Sequence, residues 1–357
     1  MQAMTANQLL AGVGTLPENP QITSVATDSR AVQKGSLFVC IAGEKTDGHL
    51  YAAAALQDGA AGIVAQHPIA NVPSEKIVLV ENPLDAMIAI GGNYRAQFAP
   101  QLVGITGSVG KTTTKEFCYA VFSAFGKTLK TDGNANNEIG VPRTLLRLED
   151  DIEYGVVEMG MQGLGEIEKL TQAVKPVGAI ITCIGVSHLE QLGTRANILK
   201  AKMEICDGMA QDAPLVLNGD DDYLPTAQIP SHVKPVFFGI KNLKADVTAC
   251  EISGGPQGTR FMLQDRVYGC FAVSIPAMGL HNVRNALSAY TLATRLGLDA
   301  KKAAAALSNY RTTGHRQNMV VHEGITVIED CYNASPDSMR AALETLAAYP
   351  ANGRRIA

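Results

Sequence analysis

Residues 104–113 read GITGSVGKTT, and this stretch decides the fold. It follows the apolar string LVGIT (102–106) and precedes a helical pattern, so it is a strand–loop–helix junction. Gly107 and Gly110 let the backbone turn tightly and aim N–H groups at an anion. The helix that begins there adds the favourable end of its dipole. Lys111 supplies charge for the β/γ-phosphates of a nucleotide, Thr112 a hydroxyl for Mg²⁺, and Ser108, Val109 and Thr113 complete the cradle. The strict G-x-x-x-x-G-K-[ST] spelling is not met, because Ile105 stands where its first glycine would be. A glycine-rich turn with a chance GKT is the bland alternative, and the flanking strand and helix argue against it.

Outward from the loop, YGVVEMG (154–160), GAIITCIG (178–185) and PLVLN (214–218) are apolar runs that alternate with helical segments. Such runs are buried on both faces, the mark of a parallel sheet with helical crossovers. Residues 245–275 alternate and are glycine-rich, which predicts antiparallel strands appended to that sheet. Helices are predicted over 282–296 and 299–309, separated by Gly297, with a polar hinge from Tyr310 to Asn318. Before the loop, SLFVCIA (36–42), GIVAQ (62–66) and KIVLV (76–80) predict a small α/β unit. It holds the helix YAAAALQDG, capped by Gly59, and a helix from Pro83 to about Phe98. After the hinge, VVHEGITVIED predicts a strand pair and SPDSMRAALETLAAYP a helix. The expected domains are 1–98, 99–313 and 314–357, the last an incomplete Rossmann-like piece. The fold class is α/β, with the P-loop parallel sheet in the centre.

Composition limits what such a chain can do. A length of 357 residues calls for two or three domains, and 46% hydrophobic residues with 18% charged describe a folded globular protein. A net charge of −4 without a basic block argues against nucleic acid as a partner. No apolar run approaches the ~20 residues of a membrane helix, and the N-terminus lacks the pattern of a signal peptide. Seven cysteines, scattered singly, fit reduced thiols in the cytoplasm better than disulfides or zinc.

Several other residues carry chemistry with less force. Glu158 ends a strand at the sheet edge where doubly wound folds bind ligands, so it is either a Walker-B-like metal carboxylate or a solvated strand end. His188, after the next strand, is a second metal ligand or a loop histidine; Mg²⁺ by itself prefers oxygen. Lys202 lies near the middle of a helix beginning after Thr194, where a lysine is ordinarily solvated. In GNANNEIGVP (133–142) the asparagines cap a helix or bind a polar ligand. TDSR (27–30) and GEKTDGH (43–49) read as polar turns.

Taken together, these strings resemble the Mur ligases of peptidoglycan synthesis over essentially the whole chain. TDSRAVQKGSLFVCIAGEKTDGH (27–49) is similar to the family's uridine-nucleotide domain, and TGSVGKTTTKE (106–116) to its general loop. GNANNEIGVPRTLL (133–146) and DCYNASPDSMRAALETL (330–346) resemble the member that joins D-alanyl-D-alanine to UDP-N-acetylmuramoyl-tripeptide. A sister ligase adding a diamino acid would carry other strings at those places. A bare nucleotide-sugar binding form and an unrelated P-loop ATPase are the remaining rivals; the second leaves TDSR and GEKTDGH without a purpose.

The resemblance implies ATP as the nucleotide, with Thr112 and Glu158 as ligands of one Mg²⁺ and His188 of another. It implies that Lys202 is carbamylated into a further metal ligand, and that Lys111, His188 and Lys202 take part in catalysis. Asn282 and Asn285 fall at the adenine side, while Arg316 and Asp330 close onto phosphate and ribose. Ser29, Glu44, Lys45 and Thr46 line the uridine site, and Asn137 contacts the muramoyl peptide. A cytoplasmic monomer serving cell-wall synthesis, cell shape and division is expected. The family also continues for roughly another hundred residues, about one domain's worth. That part carries much of the dipeptide site, so ligase activity is expected of a full-length parent.

Overall fold

The computed structural model describes residues 1–357 apart from 315 and 352. Residue 315 falls inside the expected hinge, so that part of the hinge lies outside the described residues. The chain forms two compact units, the first made of Met1–Ala99, Ala135–Asp151 and Gln172–Val174, the second of the remainder.

In the first unit β1 (Met4–Thr5) pairs antiparallel with β2 (Gln21–Ile22). Four parallel strands, β3 (Ser24–Ala26), β4 (Ser36–Val39), β5 (Gly62–Ala65) and β6 (Ile77–Leu79), lie side by side in that order. Every residue of β4 and β5 is buried, all apolar or glycine except Ser36, whose hydroxyl is hydrogen-bonded to that of Ser24 at 2.7 Å. The helix Ala52–Gln57 is stopped by Gly59, whose φ of +101° is open to glycine and strained for other residues. The helix Pro83–Arg95 starts as its sequence dictates, with Pro83 in the first turn and Asn82 Oδ1 accepting from Leu84 N at 2.9 Å. Its Gly91 lies against the helix Gly140–Leu145, where an added Cβ would stand 2.8 Å from Pro142 Cα.

The second unit is built on nine strands: β7 (Gln101–Thr106), β8 (Thr128–Lys130), β9 (Tyr154–Glu158), β10 (Gly178–Ile181), β11 (Ala213–Asn218), β12 (Val233–Gly239), β13 (Val247–Gly255), β14 (Gly258–Asp265) and β15 (Gly269–Ile275). Their order is β15-β14-β13-β12-β11-β10-β7-β9-β8. The strands from β8 to β13 are parallel and the last two are antiparallel additions, as the change of pattern after residue 245 predicted. Sequence reading missed β8 and β12. β8 is three residues long, and β12 contains Pro235, which lacks a ladder donor. Because β13 pairs only with Phe238 and Gly239, Pro235 sits where β12 has one neighbour.

The helix Leu280–Arg295 is buried along most of its length and packs with the helix Lys111–Phe122 against the sheet. It carries hydroxyls into the core because they bond their own backbone: Ser288 donates to Asn285 O and Thr291 to Leu287 O, both at 2.7 Å. β16 (Asn318–His322) and β17 (Ile325–Glu329) form the expected hairpin, followed by the helix Pro336–Ala348.

The topology also locates a crevice. From β7 the chain passes to β8 and β9 on one side, then crosses to β10 and β11 on the other. The carboxyl end of β7 is therefore a switch point, the place where open α/β sheets take ligands.

Candidate active site

The glycine-rich loop leaves β7 at this switch point and enters the helix Lys111–Phe122 through Gly110, whose φ is +88°. Gly107 has a φ of +145°, and a Cβ there would lie 1.9 Å from Thr182 Oγ1. Glycine is therefore required at 107 both by conformation and by space. The loop is tied to the end of β10: Ser108 N donates to Cys183 O at 2.9 Å, and Thr182 Oγ1 to Val109 O at 2.6 Å. Thr182 was not singled out from sequence, because a threonine after an apolar strand has no distinguishing neighbours. The Ser108 hydroxyl is buried without a hydrogen-bond partner among the described residues, so a donor is available inside the loop. Lys111 Nζ donates to Gly107 O at 2.9 Å across the loop. Burial pulls the Lys111 pKa down while the Glu158 charge opposes it. These features fit the phosphates of a nucleotide.

Glu158, at the end of β9, pairs in register with Ile105 of β7 and is 1% exposed. Thr112 Oγ1 donates to its Oε1 at 3.2 Å, and its own N–H donates to Thr131 Oγ1 at 3.0 Å. A hydroxyl and a carboxylate oxygen side by side, next to a phosphate loop, are the hard donors Mg²⁺ takes. Thus Glu158 is not a solvated strand end.

Lys202 departs most from the plain reading of its sequence. It falls in the last turn of the helix Arg195–Met203 rather than near its middle, and is 1% exposed. Burial, with the nearby Lys111 charge, lowers its pKa from 10.5 to about 7. His188, half-buried at a φ of +65°, is likewise pushed down by burial and by the charges of Lys202 and Lys111. Its imidazole is thereby held towards the neutral form that can ligate a metal. Among the described residues, no three His, Cys, Asp or Glu side chains converge into a metal site on their own.

On the helix Leu280–Arg295, Asn285 Oδ1 accepts from Thr114 Oγ1 at 3.2 Å, and it would lie 3.0 Å from a Cβ on Gly110. Asn282 Nδ2 donates to Gln317 Oε1 at 2.8 Å, joining that helix to the end of the hinge. Arg316 lies over the Tyr332 ring at 3.9 Å and is near enough to lower the Lys111 pKa. The Asp330 carboxyl is raised by burial, against the opposing effects of the Gln317 N–H and Arg316. The structure thus gathers Lys111, Thr112, Glu158, His188 and Lys202 at one sheet edge, with Asn285 beside the loop. Gln317, which nothing in the sequence marks, links Asn282 to that surrounding.

The remaining candidates belong to the first unit. Ser29 follows β3, and Glu44, Lys45 and Thr46 follow β4, so the two polar turns sit at the carboxyl ends of adjacent parallel strands. Glu44, Lys45 and Thr46 are exposed. Asn137 Oδ1 accepts from Gly140 N at 2.9 Å and Ile139 N at 3.3 Å, the helix-starting role that its loop also allowed.

Comparison with known proteins agrees with this geometry. Residues 105–293 match the Mur ligase middle domain, and residues 21–98 match the model described as Mur ligase family, catalytic domain. The chain belongs to the Mur ligase family. It is 35% identical over 350 residues to the UDP-N-acetylmuramoyl-tripeptide–D-alanyl-D-alanine ligase of Bacillus subtilis, covering 96% of this chain and 75% of that protein. The Escherichia coli ligase of the same name is 33% identical, covering 98% and 78%. The crystal structure of MurF from Acinetobacter baumannii superposes with a TM-score of 0.90 at 32% identity, covering 97% of this chain and 77% of that one. MurF from Thermotoga maritima in complex with ADP gives 0.84 at 29%, covering 92% and 75%. The branch indicated by GNANNEIG and YNASPDSM is the one to which these Mur ligases belong. No helix among the described residues is long and apolar enough to cross a membrane.

Proposed function

We propose that this Mur ligase joins D-alanyl-D-alanine to UDP-N-acetylmuramoyl-tripeptide at the expense of ATP, in the cytoplasm and as a monomer, within peptidoglycan precursor synthesis. A carboxylate is a poor electrophile, so it is first activated. The terminal carboxylate of the tripeptide attacks the γ-phosphorus, the bond to ADP breaks, and an acyl phosphate results. The dipeptide amine then attacks the acyl carbon, loses a proton, and expels phosphate. The work of the protein is to position two anions and offset their charge.

The observation that carries this reading is the convergence of Lys111, Thr112, Glu158, His188 and Lys202 at the switch point, in a chain of this family. Lys111 serves the β/γ-phosphates. Thr112 and Glu158 would hold one Mg²⁺, and His188 with a carbamylated Lys202 a second; magnesium there offsets phosphate charge. Carbamylation needs a neutral amine, and a pKa of about 7 makes one available at neutral pH. Asn282, Asn285, Arg316 and Asp330 are assigned to the adenine, phosphate and ribose of ATP. Ser29, Glu44, Lys45, Thr46 and Asn137 are assigned to the UDP-muramoyl peptide, and residues from 314 onward to a third functional domain.

Phosphate release from ATP tests the reaction. It is expected to require both UDP-N-acetylmuramoyl-tripeptide and D-alanyl-D-alanine. Equal release with glycine, with glutamate or without an amine would overturn the proposal.

A further inference from the structure

The helix that follows the phosphate loop carries a second lysine, one turn beyond Lys111, which the nucleotide reading leaves unused. Lys115 is 0% exposed, a costly setting for an ammonium group unless its surroundings compensate. Its Nζ donates to Gly133 O at 2.8 Å and lies 3.6 Å from both Glu158 Oε2 and Glu116 Oε1. Glu116, also buried, is held in turn by the Lys130 ammonium and accepts from Thr313 Oγ1 at 3.4 Å.

The two oxygens of Glu158 are therefore addressed separately by one helix. Thr112 Oγ1 reaches Oε1, and Lys115 Nζ faces Oε2. The hydrogen bond at Oε1 and the ion-pair contact at Oε2, longer than a hydrogen bond, together hold the carboxylate in one orientation beside the Thr112 hydroxyl. Partners of this kind orient a metal ligand and govern its affinity without touching the metal.

We propose that Lys115 is a positioning residue for the divalent cation of the bound nucleotide, acting through Glu158. The inference rests on the assignment of Thr112 and Glu158 to that cation. Titration of a fluorescent ATP analogue, with and without Mg²⁺, tests it. For the unsubstituted protein, Mg²⁺ is expected to tighten binding. In Lys115→Met that metal-dependent gain should fall by about tenfold or more, the usual effect of removing such a partner, with metal-free affinity nearly unchanged.

Deleting a buried cation between two carboxylates can prevent folding. The double variant Lys115→Met/Glu116→Gln removes one charge of each sign and carries the same measurement, with the same loss expected. A general packing role would lower affinity equally in both conditions, which would overturn the inference, as would full retention of the metal-dependent gain. If the unsubstituted protein itself shows no gain with Mg²⁺, the assignment of Thr112 and Glu158 fails, and that of Lys115 falls with it.

Discussion

Lys202 shows how much a single residue depends on what surrounds it. Its side chain is held in the interior with a pKa of about 7 against an ordinary 10.5, so the folded protein binds fewer protons there than the unfolded chain between those two values. Stability from this group therefore rises with pH across that window, by at most about 1.4 kcal/mol per pH unit. Below pH 7 both states are protonated and the full cost of burying the charge remains. In Lys202→Met that cost is gone. Urea unfolding at pH 7 and pH 9, in carbonate-free buffer without metal, should show the advantage of the variant shrinking as pH rises. A difference that stays constant would show that Lys202 does not titrate in this range. Glu158, by contrast, is buried with Thr112 and Lys115 as named partners, so its placement is over-determined.

At the scale of elements, the two glycines inside the helix Pro83–Arg95 are instructive. Glycine costs a helix about 1 kcal/mol relative to alanine, so Gly91→Ala would stabilise an isolated helix. Here the new Cβ would meet Pro142 Cα and Cβ at 2.8 Å, and backbone cannot step aside as a side chain can. Overpacking of this kind costs about 1–3 kcal/mol, so the sign reverses. Gly91→Ala is expected to lower the thermal unfolding midpoint; an increase would mean that the two helices separate without cost. The same balance explains the antiparallel strands. In β14, Thr259, Phe261, Leu263 and Asp265 are all buried, and the inward Asp265 is tolerated because Arg295 grips it through two hydrogen bonds of 2.8 and 2.9 Å.

For the molecule as a whole, burial is uneven. The nine-stranded sheet carries a continuous buried cluster from Val103 to Tyr310, and Tyr310 closes it by stacking on Phe117 with ring centroids 4.0 Å apart. Beyond Tyr310, the hairpin and the helix Pro336–Ala348 expose apolar side chains such as Val321 and Ile325. Segments with few buried contacts open first. Limited trypsin digestion is therefore expected to cut after the exposed Arg311 before any site within β7–β11. A first cut inside those strands would contradict this ranking. The hydrogen bonds from Asn282 to Gln317 and from Thr313 to Glu116 hold the residues just after Tyr310 to the helices Leu280–Arg295 and Lys111–Phe122.

The parallel strands, the phosphate loop and the helix starts were legible because each depends on local pattern: apolar runs, glycines at a junction, Asn-Pro at a cap. The short β8 and the proline-bearing β12 were not, since neighbouring strands rather than their own residues make them strands. Among the site residues, Lys111 and Thr112 announce themselves by spacing within one loop. Glu158, His188 and Lys202 lie tens of residues apart, and only the order of β7, β9 and β10 brings them to one edge. The sequence by itself determined that residues 104–113 form a phosphate cradle. Only the tertiary structure decided that Lys202 and Lys115 are buried rather than solvated, because burial belongs to the packed surroundings and not to the residue.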